Sequence, residues 1–161
     1  MPEEWLIDGY NLLRDCPSGT PSPPRKSKAS LANWSHRIAG FAAAKKDRRV
    51  LLVLDGQTPA QEWEALCTAS FQILSSGNIT ADSVIEKYLC DNKGRLRMMV
   101  VTKDRAVARM ARGSGAGVME PAEFTRLLEV VEKEGREILF REDVRNHGFH
   151  RPFGDKLKDV E

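Results

Sequence analysis

With 161 residues, 41% hydrophobic and 30% charged, the chain has the make-up of one soluble globular domain and is too short for two ordinary ones. No apolar run is long enough to cross a bilayer, and Cys16, Cys67 and Cys90 form no C-x-x-C pair, which argues against a disulfide framework or a zinc site and fits a reducing cytosol. The net charge of +2 excludes little, but its distribution is uneven: between Cys16 and Leu54 the only acid is Asp47, against Arg25, Lys26, Lys28, Arg37, Lys45, Lys46, Arg48 and Arg49.

Trp5-Leu6-Ile7 reads as a strand stopped by Asp8-Gly9, and its early start leaves no room for a signal peptide, so a cytoplasmic protein is expected. Four prolines between Pro17 and Pro24 mark a loop. From Ser27 to Lys46, Leu31, Trp34, Ile38, Phe41 and Ala42 recur at helical spacing. Val50 to Leu54 is a continuous apolar run, as in a strand buried on both faces, and it too ends in Asp-Gly at Asp55-Gly56. Phe71 to Leu74 is a weaker strand. Thr80 is placed as the N-cap of a helix that buries Val84, Ile85, Tyr88 and Leu89.

Met98 to Val101 forms another strand, stopped at Thr102-Lys103-Asp104, and Arg105 to Arg112 a helix. Gly115 to Met119 gives a short strand, and Pro121 starts a helix that turns Phe124, Leu127, Leu128 and Val131 inward. After Gly135 the periodicity is weak, and an extended arm is expected. Strand–helix alternation predicts an α/β fold, a central, mainly parallel sheet covered by helices in three α/β/α layers. In such sheets ligands bind outside the carboxyl ends of the strands.

Those ends carry acids: Asp8, Asp55 and Asp104 follow three strands, and Asp82 opens a helix with Glu86 one turn later on the same face. Asp-Gly is a common turn and Asp a common N-cap, so each acid alone has a plain structural reading. Their recurrence is what points to a site. Crowded carboxylates need a cation, and hard oxygen ligands select Mg²⁺ or Mn²⁺. His36, His147 and His150 lie outside these segments, which disfavours histidine acid–base chemistry. Asp55-Gly56-Gln57-Thr58 falls short of the D-x-D-G-T phosphatase motif, because Val53 stands where its nucleophile belongs. The glycines from Gly113 to Gly117 follow a helix and precede a strand, the reverse of a dinucleotide loop.

Taken in order, Leu6-Ile7-Asp8-Gly9-Tyr10-Asn11-Leu12-Leu13, Leu54-Asp55-Gly56, Thr80-Ala81-Asp82 and Val101-Thr102-Lys103-Asp104-Arg105-Ala106, then Gly115-Ala116, resemble the YacP-like branch of the NYN domains. That branch belongs to the PIN-like nuclease superfamily. The resemblance runs from about Trp5 to Glu129 and leaves the tail unmatched, so a nuclease domain over residues 1–135 and a C-terminal extension over 136–161 are expected. It implies a Mg²⁺- or Mn²⁺-dependent RNA endonuclease, and bacterial members of the branch are associated with translating ribosomes. By the same resemblance Asp8, Asp82 and Asp104 match metal-binding acids, Asn11 the asparagine that orients the site, and Asp55 an aspartate of less defined role. The branch often has a second aspartate after T-A-D, where this chain has Ser83, and Glu86 is a candidate for the missing charge. A non-catalytic RNA- or ribosome-binding adaptor is the alternative that Ser83 favours.

For holding RNA, Arg105, Arg109 and Arg112 share a helical face beginning beside Asp104, and Arg25, Lys26 and Lys28 lie in or just after the proline-rich loop. Tyr10 is a candidate to stack a base, with packing as the equal alternative. Phe149, Arg151 and Phe153 in the tail mix aromatic and basic groups, although a tail docked on its own domain is the plainer reading.

Overall fold

The apolar runs become the strands of one sheet. The computed structural model describes residues 2–9, 12, 28–56, 64–95 and 97–147. Among these the strands are β1 (Glu3–Asp8), β2 (Arg48–Leu54), β3 (Phe71–Ser75), β4 (Arg97–Val101) and β5 (Gly117–Met119). The helices are α1 (Lys28–Ala43), α2 (Ala81–Asp91), α3 (Arg105–Gly113) and α4 (Pro121–His147). The sheet order is β3-β2-β1-β4-β5 and every pairing is parallel. Tyr10, Asn11, Lys26, the proline-rich loop and the tail from 148 onward lie outside the described residues. No described helix is long and apolar enough to cross a membrane.

Alternation along each strand builds two cores. Trp5 and Ile7 of β1, with Val50, Leu52 and Leu54 of β2, face α1 and α4 and meet Ile38, Phe41, Phe124 and Leu128. Leu6, Leu51, Val53 and Val100 face the other way, against Ile85 and Leu89 of α2 and Val107 and Ala111 of α3. That two-sided cover is why β2 is apolar throughout. Each fully buried Leu, Ile or Phe stabilises the fold by about 1.5–3 kcal/mol. The long-range seal is aromatic: Phe41 meets Trp5 edge-on at 5.0 Å and Phe124 edge-on at 5.3 Å.

Helix starts follow from local chemistry. Thr80 caps α2, its hydroxyl accepting the Ser83 N–H, as its position foretold. Pro121 opens α4, and Glu123 reaches back to accept the Glu120 N–H. Phe124 and Leu128 are fully buried and Leu127 and Val131 pack beside them, as expected. The extended arm is corrected. α4 continues without a break through Gly135 to His147. A glycine inside a helix costs about 1 kcal/mol, and the surrounding Glu, Lys, Arg and Leu are strong helix formers. From Lys133 to Asp143 every residue is exposed, Leu139 at 67% and Phe140 at 70%.

Candidate functional site

In the order β3-β2-β1-β4-β5 the chain moves outward from β1 on both sides, and the crevice at the carboxyl ends of β1 and β4 is the topological switch point. Asp8 ends β1 there and is only 3% exposed. Ile7 lies in register with Val101, which sets Asp8 beside Thr102. The buried Thr102 hydroxyl donates to Asp8 Oδ2 at 3.5 Å and accepts the Asp104 N–H at 3.1 Å, while its own N–H is held by Met119 O. One threonine therefore joins two strand-end acids. Asp104 caps α3, its Oδ1 accepting from the N–H groups of Ala106 (2.7 Å) and Val107 (3.2 Å). Both capping bonds use Oδ1, so Oδ2 takes no part in the cap.

Asp82 lies in the first turn of α2. Burial raises its carboxyl above the usual aspartate range, and the charges of Asp104 and Asp55 raise it further. Asp82 therefore lies in the field of two acids that follow other strands, Asp104 and Asp55, at this rim. Asp55 has a second task. Its Oδ1 accepts from Ser76 Oγ and the Ala81 N–H, each at 3.2 Å. Ser76 Oγ in turn accepts the Gly56 N–H at 2.9 Å, and Ser75 Oγ donates to Gly56 O. The Asp55 carboxylate thus ties the end of β2 to the start of α2, and so fixes where Asp82 sits.

Asp82 holds its proton more tightly folded than unfolded. Stability is therefore lost as pH rises through its unfolded and then its folded pKa, and the penalty is complete at neutral pH. Without metal, Asp82→Asn is expected to raise Tm at neutral pH by about 1 °C, since screening at an exposed group leaves only a few tenths of a kcal/mol. Calorimetry with and without divalent cation checks this, and added cation should raise the Tm of the parent more than that of the variant.

Gly9 supports Asp8 by its lack of a side chain. A Cβ there would lie 2.6 Å from Leu54 Cδ2 and 2.9 Å from the Val53 carbonyl oxygen. The carbonyl is backbone and cannot step aside. Gly9→Ala is expected to destabilise by about 1–3 kcal/mol and to lower any activity that depends on Asp8; urea unfolding measures the first effect.

Of the other sequence-derived residues, Glu86 is exposed on α2, and its charge is not among those acting on Asp82. Arg105, Arg109 and Arg112 are all exposed on α3, whose N-terminus begins at the Asp104 cap. Lys28 starts α1. Ser83 is engaged in the cap of α2, its hydroxyl 2.9 Å from that of Thr80. Sequence reasoning assigned no site role to Ser76 or Thr102; a hydroxyl one or two residues from a strand end was the only signal.

Among the described residues, no three His, Cys, Asp or Glu side chains are grouped tightly enough to ligate one ion together. Mg²⁺ keeps several waters and needs only one or two carboxylates. The donor set here is wholly carboxylate oxygen, and the mutual repulsion at Asp82 is what a cation relieves, so the rim fits a hard divalent ion.

The sequence matches the family described as YacP-like NYN domain over residues 5–159, a span that includes the tail left unmatched by inspection. No curated protein gives a significant match. Among solved structures, the chain is similar to the crystal structure of Rae1 (YacP) from Bacillus subtilis, with TM-score 0.70, 18% identity, and coverage of 95% of this chain and 88% of that one. The W164L mutant of the same protein gives TM-score 0.68 at 20% identity, covering 96% and 89%.

Proposed function

Because this chain belongs to the YacP-like NYN domain family, a PIN-like nuclease family, we propose that it is a divalent-metal-dependent endoribonuclease whose site is the acidic rim of Asp8, Asp82 and Asp104. The observation that carries the reading is the junction of Asp8 with Asp104 through Thr102 at the switch point, with Asp82 in the field of Asp104.

Asp8, Asp82 and Asp104 would hold Mg²⁺ or Mn²⁺ between them, not all three as direct ligands but in part through the waters such an ion keeps, with Asn11 orienting the group, Asp55 positioning α2, and Glu86 at most an outer contact. When bound, such an ion polarises the phosphoryl oxygens and lowers the pKa of a water that attacks phosphorus. The N-termini of α2 and α3 meet the same rim, and their dipoles favour phosphate, although Asp55, Thr80 and Asp104 already take most of their first-turn N–H groups. Arg105, Arg109 and Arg112 extend that attraction along α3. Tyr10, Lys26 and Lys28 belong to the segments that follow β1 and complete the grip on RNA. Cytoplasmic, ribosome-associated RNA is the proposed substrate context.

A non-catalytic RNA- or ribosome-binding adaptor is the second reading. The capping bond of Ser83 favours it, since that hydroxyl stands where the branch often has another acid. Against it, an adaptor gains nothing from Asp82 set in the repelling field of Asp104 and Asp55 where phosphate would lie.

Incubation of labelled single-stranded RNA with the protein in Mg²⁺, Mn²⁺ or EDTA separates the two. The nuclease reading expects cleavage with metal, loss in EDTA and recovery when metal is restored. Salt-sensitive binding without cleavage, on free RNA and on translating ribosomes alike, would establish the adaptor.

A further inference from the structure

The opposite rim, at the amino ends of the strands, is basic. Two tight turns form it, residues 44–47 between α1 and β2 and residues 92–95 between α2 and β4. Arg48 N–H bonds Lys45 O at 3.1 Å and Arg95 N–H bonds Asn92 O at 3.1 Å, with Gly94 at φ 76° closing the second turn. Both turns are pinned to the start of β1: Glu3 N–H to Asp47 O at 2.9 Å, and Arg97 N–H to Pro2 O at 3.4 Å. Arg48, Glu3 and Arg97 lie in one register row across β2, β1 and β4. The outer two are thus about 10 Å apart, two strand spacings.

The acids between them are already engaged. Glu3 accepts from Lys45 Nζ and Trp5 Nε1 and lies 3.8 Å from Arg48 Nε. Glu4 is buried and accepts from the Tyr88 hydroxyl. Lys46, Arg49, Lys93, Arg95 and Arg97 are exposed and have no ion pair among the described residues, against the exposed acids Asp47 in the first turn and Asp91 at the end of α2. Such a fixed cluster of cations concentrates polyanions. Neither turn holds an aromatic residue, and Tyr88 of α2 is half-buried with its hydroxyl given to Glu4, so the two turns offer no stacking platform of the kind by which single strands are bound. What it offers is charge, which suits the phosphate backbone of a paired helix.

We propose that this amino-end rim is a second RNA contact, in which Lys46, Arg49, Lys93, Arg95 and Arg97 bind the phosphates of a double-stranded segment. It rests on the reading of the protein as RNA-binding. The six residues of β1 rise about 17 Å, so the rim is remote from the acids and serves an RNA large enough to wrap the domain. A folded RNA is held by a paired region at one end of the sheet while an unpaired region enters the other.

The test is binding of an RNA duplex of about 20 base pairs, followed across a salt series, with Asp8→Asn present throughout to prevent cleavage. Arg49→Gln, Arg95→Gln and Arg97→Gln together should make the slope of log affinity against log salt shallower by about 3 and weaken binding at about 0.15 M salt by about 10–100-fold. The triple lysine variant at the same positions should stay within about threefold of the parent. So should an equal charge removal on α4 (Lys133→Gln, Arg136→Gln, Arg141→Gln). Unchanged duplex binding by the glutamine variant, or equal losses in either comparison variant, overturns the rim proposal. A parent that binds single-stranded RNA but not the duplex also overturns it, and leaves the nuclease reading standing. A parent that binds no RNA of either kind overturns both.

Discussion

Asp8→Asn is expected to slow metal-dependent RNA cleavage by about 10²–10³-fold, or about 3–4 kcal/mol of transition-state stabilisation, while leaving the fold intact. The substitution keeps volume and shape and removes only charge. Asp8 is buried at the end of the central strand, where its Oδ2 meets Thr102, so the amide can occupy the same place. A buried carboxylate without cation is a cost to folding, and its neutralisation should leave Tm equal or slightly higher. Loss of cleavage at unchanged Tm and unchanged RNA affinity assigns Asp8 to the chemical step. Equal losses of stability and activity would make it a structural residue. Single-turnover rates and thermal unfolding of the same preparation supply both numbers.

The largest expected effect on stability belongs to Phe124→Ala, at about 3–5 kcal/mol. Phe124 is fully buried, meets Phe41 edge-on and lies 5.8 Å from the Trp5 ring. It is the point at which α4 closes the core formed by α1 and β1. Against a total of about 5–15 kcal/mol for an ordinary domain, the loss corresponds to a fall in Tm of about 6–20 °C. Phe140, on the same helix but 70% exposed, gives the contrast: its alanine variant should change stability by no more than about 0.5 kcal/mol. Urea unfolding of the two variants compares them directly, and similar losses would mean that the distal half of α4 is held as firmly as the proximal half.

The strands and their terminal acids were legible because the runs of β1, β2 and β4 are stopped by Asp8-Gly9, Asp55-Gly56 and Thr102-Lys103-Asp104, signals contained within a few residues. What those acids do was less legible. Asp55 resembles Asp8 in sequence, each being an aspartate before glycine after a strand, yet its carboxylate holds Ser76 and Ala81, 21 and 26 residues further on. No local pattern encodes that. Thr102 is likewise ordinary until β4 pairs with β1 and sets it against a residue 94 positions away. Gly9 read as part of a turn, whereas its position is fixed by the close approach of Val53 and Leu54.

The misreading of α4 has a different cause. Apolar periodicity reports burial, and the buried stripe ends at Val131; past that point the helix continues on propensity and leaves no periodic trace. The basic run from Arg25 to Arg49 was visible from the start, but only the fold divides it. Arg48 is drawn in over Phe41 at 3.9 Å, while Arg49 is left at the surface.

The central claim is that the carboxyl-end acids hold a divalent cation, and water-proton relaxation by Mn²⁺, titrated with protein in the presence of uncleavable RNA, tests it most directly. The account predicts saturable binding that weakens at least about tenfold in Asp8→Asn and again in Asp82→Asn. Binding equally strong in the parent and both variants, or no binding at millimolar Mn²⁺ with RNA bound, would contradict it.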